Sequence, residues 1–206
     1  MNKDNKMVSL LQISYQKDQL FDAVSNGELS VVQRCIENGE DINQINQNGF
    51  TALGLAVNCK KVEIVKYLIE KGANPFIGST IKSAINIKSS NICDILIKNI
   101  KNINGFDENG FSFLDYVVSS DQFNSDLFIS LIQSGAKLEQ KNKHDDTSPF
   151  DIIVDERNID AIDKLAANGI PLDVANRYSF THAASELNNT SFLSYIINKG
   201  GNVNFQ

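Results

Sequence analysis

Apolar residues fall three and four apart in short runs that recur along the whole chain. In one of them Val62, Val65, Leu68 and Ile69 share a face, the spacing of an amphipathic helix. That run closes on Leu68-Ile69-Glu70-Lys71-Gly72. The same closing pattern returns as Cys35-Ile36-Glu37-Asn38-Gly39, Leu131-Ile132-Gln133-Ser134-Gly135, Leu165-Ala166-Ala167-Asn168-Gly169 and Ile196-Ile197-Asn198-Lys199-Gly200. A further copy, Leu96-Ile97-Lys98-Asn99-Ile100, lacks the glycine. The copies recur at intervals near roughly 33 residues. Each glycine stands where a helix ends in a left-handed cap. Small residues at Ala23, Ala56, Ala84 and Ala184 precede these runs and let two antiparallel helices pack closely. Thr51 and Ser148 stand where a hydroxyl caps a helix, and Pro149 fits a first turn. The pattern predicts a succession of paired helices.

The segment NQNGFTALGLAVNCKKVEIVKYLIEKGANP, Asn46 to Pro75, assembles these signals into one unit. A glycine-containing hairpin turn precedes a helix start, Thr51-Ala52-Leu53-Gly54, and Ala56 and the second helix follow. This unit resembles the ankyrin repeat, and the resemblance covers nearly the whole chain. It implies an all-α fold, an ankyrin-repeat solenoid of about six helix-turn-helix repeats with short hairpin turns. The repeats fall near 19–43, 44–75, 76–104, 105–138, 139–172 and 173–206. Residues 1–18 form an N-terminal extension, either a short helix or disordered. The third unit lacks the hairpin sequence, which predicts a pared-down turn. The fourth carries two extra residues near Ser120 to Asn124, and the sixth has Arg177 in place of the turn glycine.

Composition narrows the function. The 206 residues carry a formal net charge of -6, with a pI near 4.9, which disfavours nucleic acid and anionic membranes as partners. No apolar run approaches the roughly 18 residues of a membrane span. The N-terminus makes a poor secretory signal, so a cytoplasmic location is expected. Cys35, Cys59 and Cys93 are widely spaced and far from His144 and His182, so neither a metal site nor a catalytic thiol is expected. Phosphate-binding loops, nucleophile elbows and zinc-protease motifs are also missing from the sequence. No catalytic residue, cofactor or metal ligand is assigned, and the expected activity is non-enzymatic. His182 takes the place of a histidine that ties turns together in ankyrin repeats, and His144 is expected to be solvated on a hairpin tip.

Charge is unevenly placed. Residues 1–106 hold 12 basic and 10 acidic residues, whereas residues 107–206 hold 7 and 15, a balance of -8. Aligned on Gly49, the pairs Asp107-Glu108 and His144-Asp145 fall on hairpin tips. Asp155-Glu156 align with Asn58-Cys59 at the exposed end of a first helix. The resemblance implies that these tips and helix ends contact partners. The candidate partner-binding residues are therefore Asn48, Phe50, Asn58, Asp107, Glu108, Phe111, His144, Asp145, Asp155 and Glu156. Phe50 and Phe111 either anchor a partner or pack between neighbouring hairpins. The acidic residues either steer in a basic protein or keep the surface soluble. Heavy use of Asn, Ile and Lys is typical of AT-rich genomes. Small acidic ankyrin proteins of such bacteria resemble the immunity proteins of interbacterial toxin systems, which implies a monomer that covers a basic toxin enzyme such as a nuclease. A secreted effector that binds a host protein is the alternative.

Overall fold

The computed structural model describes residues 19–121, 123–172 and 189–201. Residues 1–18, Arg177, His182 and Ala184 lie outside them, so the expectations placed there have no structural counterpart. The chain divides into two compact units, Met1–Lys101 and Asn102–Gln206. All regular structure among the described residues is helical, apart from one isolated bridge between Ile45 and Thr51.

Among its described residues, unit 1 contains three helix pairs. They are α1 (19–26) with α2 (Leu29–Glu37), α3 (Ala52–Asn58) with α4 (Val62–Glu70), and α5 (Thr80–Asn86) with α6 (Ser90–Asn99). First helices stack on first helices and second on second: α3 packs on α5, and α4 packs on both α2 and α6. Leu20, Val24, Leu53, Val57, Ile81 and Ala84 fill the first layer, and Val32, Val65, Leu68, Ile92 and Leu96 the second. In α4 the buried stripe is Ile64, Val65 and Leu68, while Val62 and Ile69 are only half-buried. The helix is thus rotated slightly from the face that a simple i, i+3, i+4 reading selects, because α2 and α6 flank it on both sides.

Unit 2 repeats the plan with α7 (Phe113–Val118), α8 (Ser125–Gln133), α9 (Pro149–Asp155), α10 (Ile159–Ala167) and α11 (Thr190–Asn198). Here α7 packs on α8 and α9, and α8 packs on α10. Phe113, Phe128, Leu131, Phe150, Ile162, Leu165 and Ile196 are buried. The extra residues of the fourth unit lie in the 119–124 loop. Because α7 is also one residue shorter than α9, six residues separate α7 from α8, against three between α9 and α10. Phe123 anchors this loop by packing 5.3 Å from the ring of Phe128.

Three first helices, α3, α7 and α9, start from hydroxyl caps, whereas Ser79 before α5 makes no side-chain cap bond. The Thr51 Oγ1 accepts from Gly54 N at 3.0 Å. Ser112 with Asp115, and Ser148 with Asp151, make reciprocal capping boxes. The pared-down turn of the third unit runs close to the preceding helix start. A Cβ on Gly78 would stand 2.6 Å from Thr51 N, so this approach requires glycine.

Most of the described helices end in the same way, the exceptions being α6, which runs into extended Ile100, and α7. A residue with positive φ follows the helix, and the next amide reaches back to close the last turn. After second helices that residue is Gly39, Gly72, Gly135, Gly169 or Gly200, with φ between 67 and 102. After first helices it is Gly27, Lys60, Lys88 or Arg157.

Candidate functional site

The hairpins are rigid because their own polar side chains hold them. In the 46–50 turn, Asn46 Oδ1 accepts from the amides of Asn48 (2.9 Å) and Phe50 (3.0 Å). Asp107 Oδ1 does the same for Asn109 and Phe111, both at 2.9 Å. In the next hairpin Asn142 Oδ1 accepts from His144 (2.9 Å) and Asp145 (3.0 Å). That loop is one residue longer, and Asp146 takes the positive-φ place that Gly49 and Gly110 hold in the other two. The 107–111 and 142–147 hairpins touch directly. Lys143 N donates to Gly110 O at 2.9 Å, and a Cβ on Gly110 would come within 2.9 Å of Lys143 Cβ.

This contact brings together some of the residues singled out from the sequence. Phe111 is half-buried, its ring centroid 5.5 Å from Tyr116 and 5.1 Å from His144. His144 is therefore not simply a solvated tip residue: its exposed ring lies against Phe111 of the neighbouring hairpin. Phe111 accordingly packs between hairpins. Asn48 is exposed and Phe50 half-buried on the 46–50 turn, and Asn58 is exposed at the end of α3. These three belong to unit 1.

The acidic residues sort into engaged and open groups. Asp107 stabilises its own turn and accepts from Tyr116 Oη at 2.6 Å. Burial first, and then the Asp107 carboxylate, raises the Tyr116 phenol above its ordinary pKa. Asp145 accepts from the Thr147 hydroxyl at 2.6 Å, the main reason its carboxyl sits below the usual range. Asp146 pairs with Lys141 at 2.6 Å and Asp126 with Lys164 at 3.0 Å. Asp163 pairs with Lys199 at 2.6 Å and accepts from Tyr195 Oη. Asp115 is buried within its capping box, and burial raises its pKa. The acidic excess is thus not one continuous binding face, since much of it is used locally. Glu108, Asp155 and Glu156 are exposed, with no hydrogen bond or ion pair to their carboxylates among the described residues. Asp155 ends α9 and Glu156 follows it.

The thiols offer little chemistry. All three cysteines are free. Burial pushes Cys35 and Cys93 up to about 11, so both stay protonated near neutrality. Among the described residues no group of His, Cys, Asp or Glu is arranged to hold a metal. No described helix is long and apolar enough to cross a membrane.

A further set of positions escaped the sequence reading. Asn43 Oδ1 accepts from Asn74 N at 2.8 Å, from one repeat to the next within unit 1. Asn104 repeats this with Lys137 N (2.9 Å), and also donates to Gly135 O (2.9 Å). Both asparagines stand four residues beyond the closing position of their second helix, in the pairs Ile42-Asn43 and Ile103-Asn104. That recurrence was the available signal.

Helix pairs capped by glycine, joined by hairpins and stitched together by asparagines agree with the comparisons to known proteins. A family profile described as ankyrin repeats (3 copies) matches residues 2–79 and 20–104. The chain belongs to the ankyrin-repeat family. It is 35% identical over 69 residues to mouse ankyrin repeat domain-containing protein 40, covering 33% of this chain and 19% of that protein. The human counterpart is 35% identical over 75 residues, 36% of this chain and 20% of its own length. A putative ankyrin repeat protein of fowlpox virus is 26% identical over 122 residues, 58% of this chain and 31% of the viral protein. The chain thus spans a fifth to a third of the length of these relatives. Ankyrin repeats are a non-enzymatic interaction fold, so this chain is a protein-protein interaction module.

Proposed function

We propose that this chain is a non-enzymatic cytoplasmic inhibitor that binds a basic protein and blocks it by occlusion. An immunity protein covering a bacterial toxin enzyme, such as a nuclease, is the specific case. One observation carries the reading: Asp155 and Glu156 project unpaired carboxylates from the end of α9, in a unit whose sequence balance is -8. Open carboxylates on a negatively charged unit attract a basic surface at long range and speed encounter. Glu108 adds to this charge from its hairpin, while Phe111 and His144 supply an aromatic surface that the Asp107 turn holds rigid. Three free thiols suit a reducing compartment.

The test is a pull-down from the source lysate with native protein and with Asp155→Lys/Glu156→Lys, washed at low and high salt. A basic enzyme held by the native chain at low salt, released by salt and inhibited one-to-one, supports the proposal. The double variant should associate with it about tenfold more slowly at low salt. Capture of the same enzyme at the same rate by both forms would exclude the acidic surface.

A further inference from the structure

The two kinds of helix end in this fold make the same conformational demand and meet it differently. After each second helix with a left-handed terminator, among the described residues, the terminating residue is glycine. After first helices, the equivalent residue is glycine only at Gly27. Elsewhere it is Lys60 (φ 55), Lys88 (φ 52) and Arg157 (φ 52). The geometry is the same in each case. Gly27 N donates to Val24 O, Lys60 N to Val57 O, Lys88 N to Ile85 O and Arg157 N to Val154 O, at 2.9 to 3.1 Å. Glycine adopts this backbone without steric cost, whereas a residue with a Cβ is strained there. Conformation alone favours glycine at both sites, so a long cationic side chain at the first-helix end points to a use for that side chain.

In unit 1 these cations are gathered. The helices α3 and α5 pack side by side, so their C-terminal turns carry Lys60 and Lys88 at the same end of the layer. Lys61 adds a third charge. Its Nζ lies over the preceding turn, 3.2 Å from where a Cβ on Gly27 would stand. Lys60 and Lys88 are exposed, Lys61 is half-buried, and no carboxylate pairs with any of them among the described residues. Of the acids beside these turns, Glu63 pairs with Lys66 at 2.9 Å, and Glu28 accepts a 3.4 Å hydrogen bond from the Asn26 amide.

We propose that Lys60, Lys61 and Lys88 form a basic ridge on unit 1 that docks an acidic segment of a partner protein. This rests on the reading that the chain works by binding proteins, and it is independent of what unit 2 holds. Three unpaired cations on adjoining turns complement a run of Asp and Glu side chains. Lys60 and Lys88 reach outward from fixed backbone, so only their side chains need to be ordered on binding. The whole chain's charge of -6 weighs against a nucleic acid occupying the same ridge.

Glycine itself provides the test, because it is the native solution of this turn at Gly27. The variant Lys60→Gly/Lys88→Gly should keep the fold, with a thermal midpoint equal to or above that of the native chain. Binding is read with a fluorescent peptide of alternating Asp and Glu, against a Asn/Gln peptide of equal length and a single-stranded oligonucleotide of equal charge. The native chain should bind the acidic peptide in a salt-dependent way, and the folded double variant should bind about tenfold more weakly. The unit 2 surface is read separately, by the Asp155→Lys/Glu156→Lys pull-down, so failure of either proposal leaves the other standing. Equal binding by the native chain and the glycine variant would overturn the ridge. So would equal binding of the neutral peptide, or tighter binding of the oligonucleotide.

Discussion

The two units share one backbone plan but start their second helices differently. In unit 1 the cap residues are Glu28, Lys61 and Ser89, and none of their side chains accepts from the helix. In unit 2 they are Asn124, Asn158 and Asn189, and each Oδ1 accepts from the amide three residues on, at 3.0 Å. Asparagine is short and carries an acceptor at the right reach, while lysine has no acceptor at all. Charge divides along the same line, near neutral in unit 1 and strongly acidic in unit 2. Packing of the helix faces thus sets the fold in both units, and the helix ends are left open to vary in chemistry.

The largest effects should test the shared part of the comparison. Leu68→Ala in unit 1 is expected to cost about 2–5 kcal/mol, and Phe128→Ala in unit 2 about 3–5 kcal/mol, since both side chains are fully buried. Because repeats couple mainly to their neighbours, each substitution should lower the transition seen by probes in its own unit first. Denaturant unfolding followed at one site in each unit checks this. A single coincident transition in both variants would show that the units unfold as one.

Capping should break the symmetry. Asn158→Ala is expected to lose about 0.5–2 kcal/mol, whereas Lys61→Ala should lose no cap energy, because Lys61 makes no cap bond. Conversely Ser89→Asn should gain up to about 1 kcal/mol by giving α6 the acceptor used in unit 2. Urea midpoints at constant slope measure all three.

The smallest effect concerns the clasp between α10 and α11. Tyr195 donates to Asp163 and Lys199 pairs with the same carboxylate. Burial first, and then Asp163, pushes the Tyr195 phenol up to about 12. Its folded pKa therefore lies above the unfolded value of about 10. The contribution is complete below about pH 10 and is lost as pH rises towards about 12. Tyr195→Phe should flatten that alkaline fall in stability, as read by thermal midpoints across the range.

Much of the fold was legible because it is built from local rules repeated many times. The closing glycines, the caps at Thr51 and Ser148 and the small residues at Ala23, Ala56 and Ala84 each state a local geometry, and the structure shows each one. The surface was harder to read. Asp107, Asp115 and Asp151 look like surplus charge in the sequence, yet the first holds a turn and the other two complete capping boxes. His144 reads as a tip residue until the neighbouring hairpin brings Phe111 against it.

By itself, then, the sequence determined the paired helices, their order and the unequal distribution of charge. These follow from periodicity and from residue types with narrow conformational preferences. Only the tertiary structure decided which carboxylates remain open, which rings meet and which lysines share a ridge. Those outcomes depend on residues about one repeat apart in sequence meeting through packing, as Asn43 meets Asn74 and Asp126 meets Lys164. No local spacing rule encodes which of two exposed charges finds a partner.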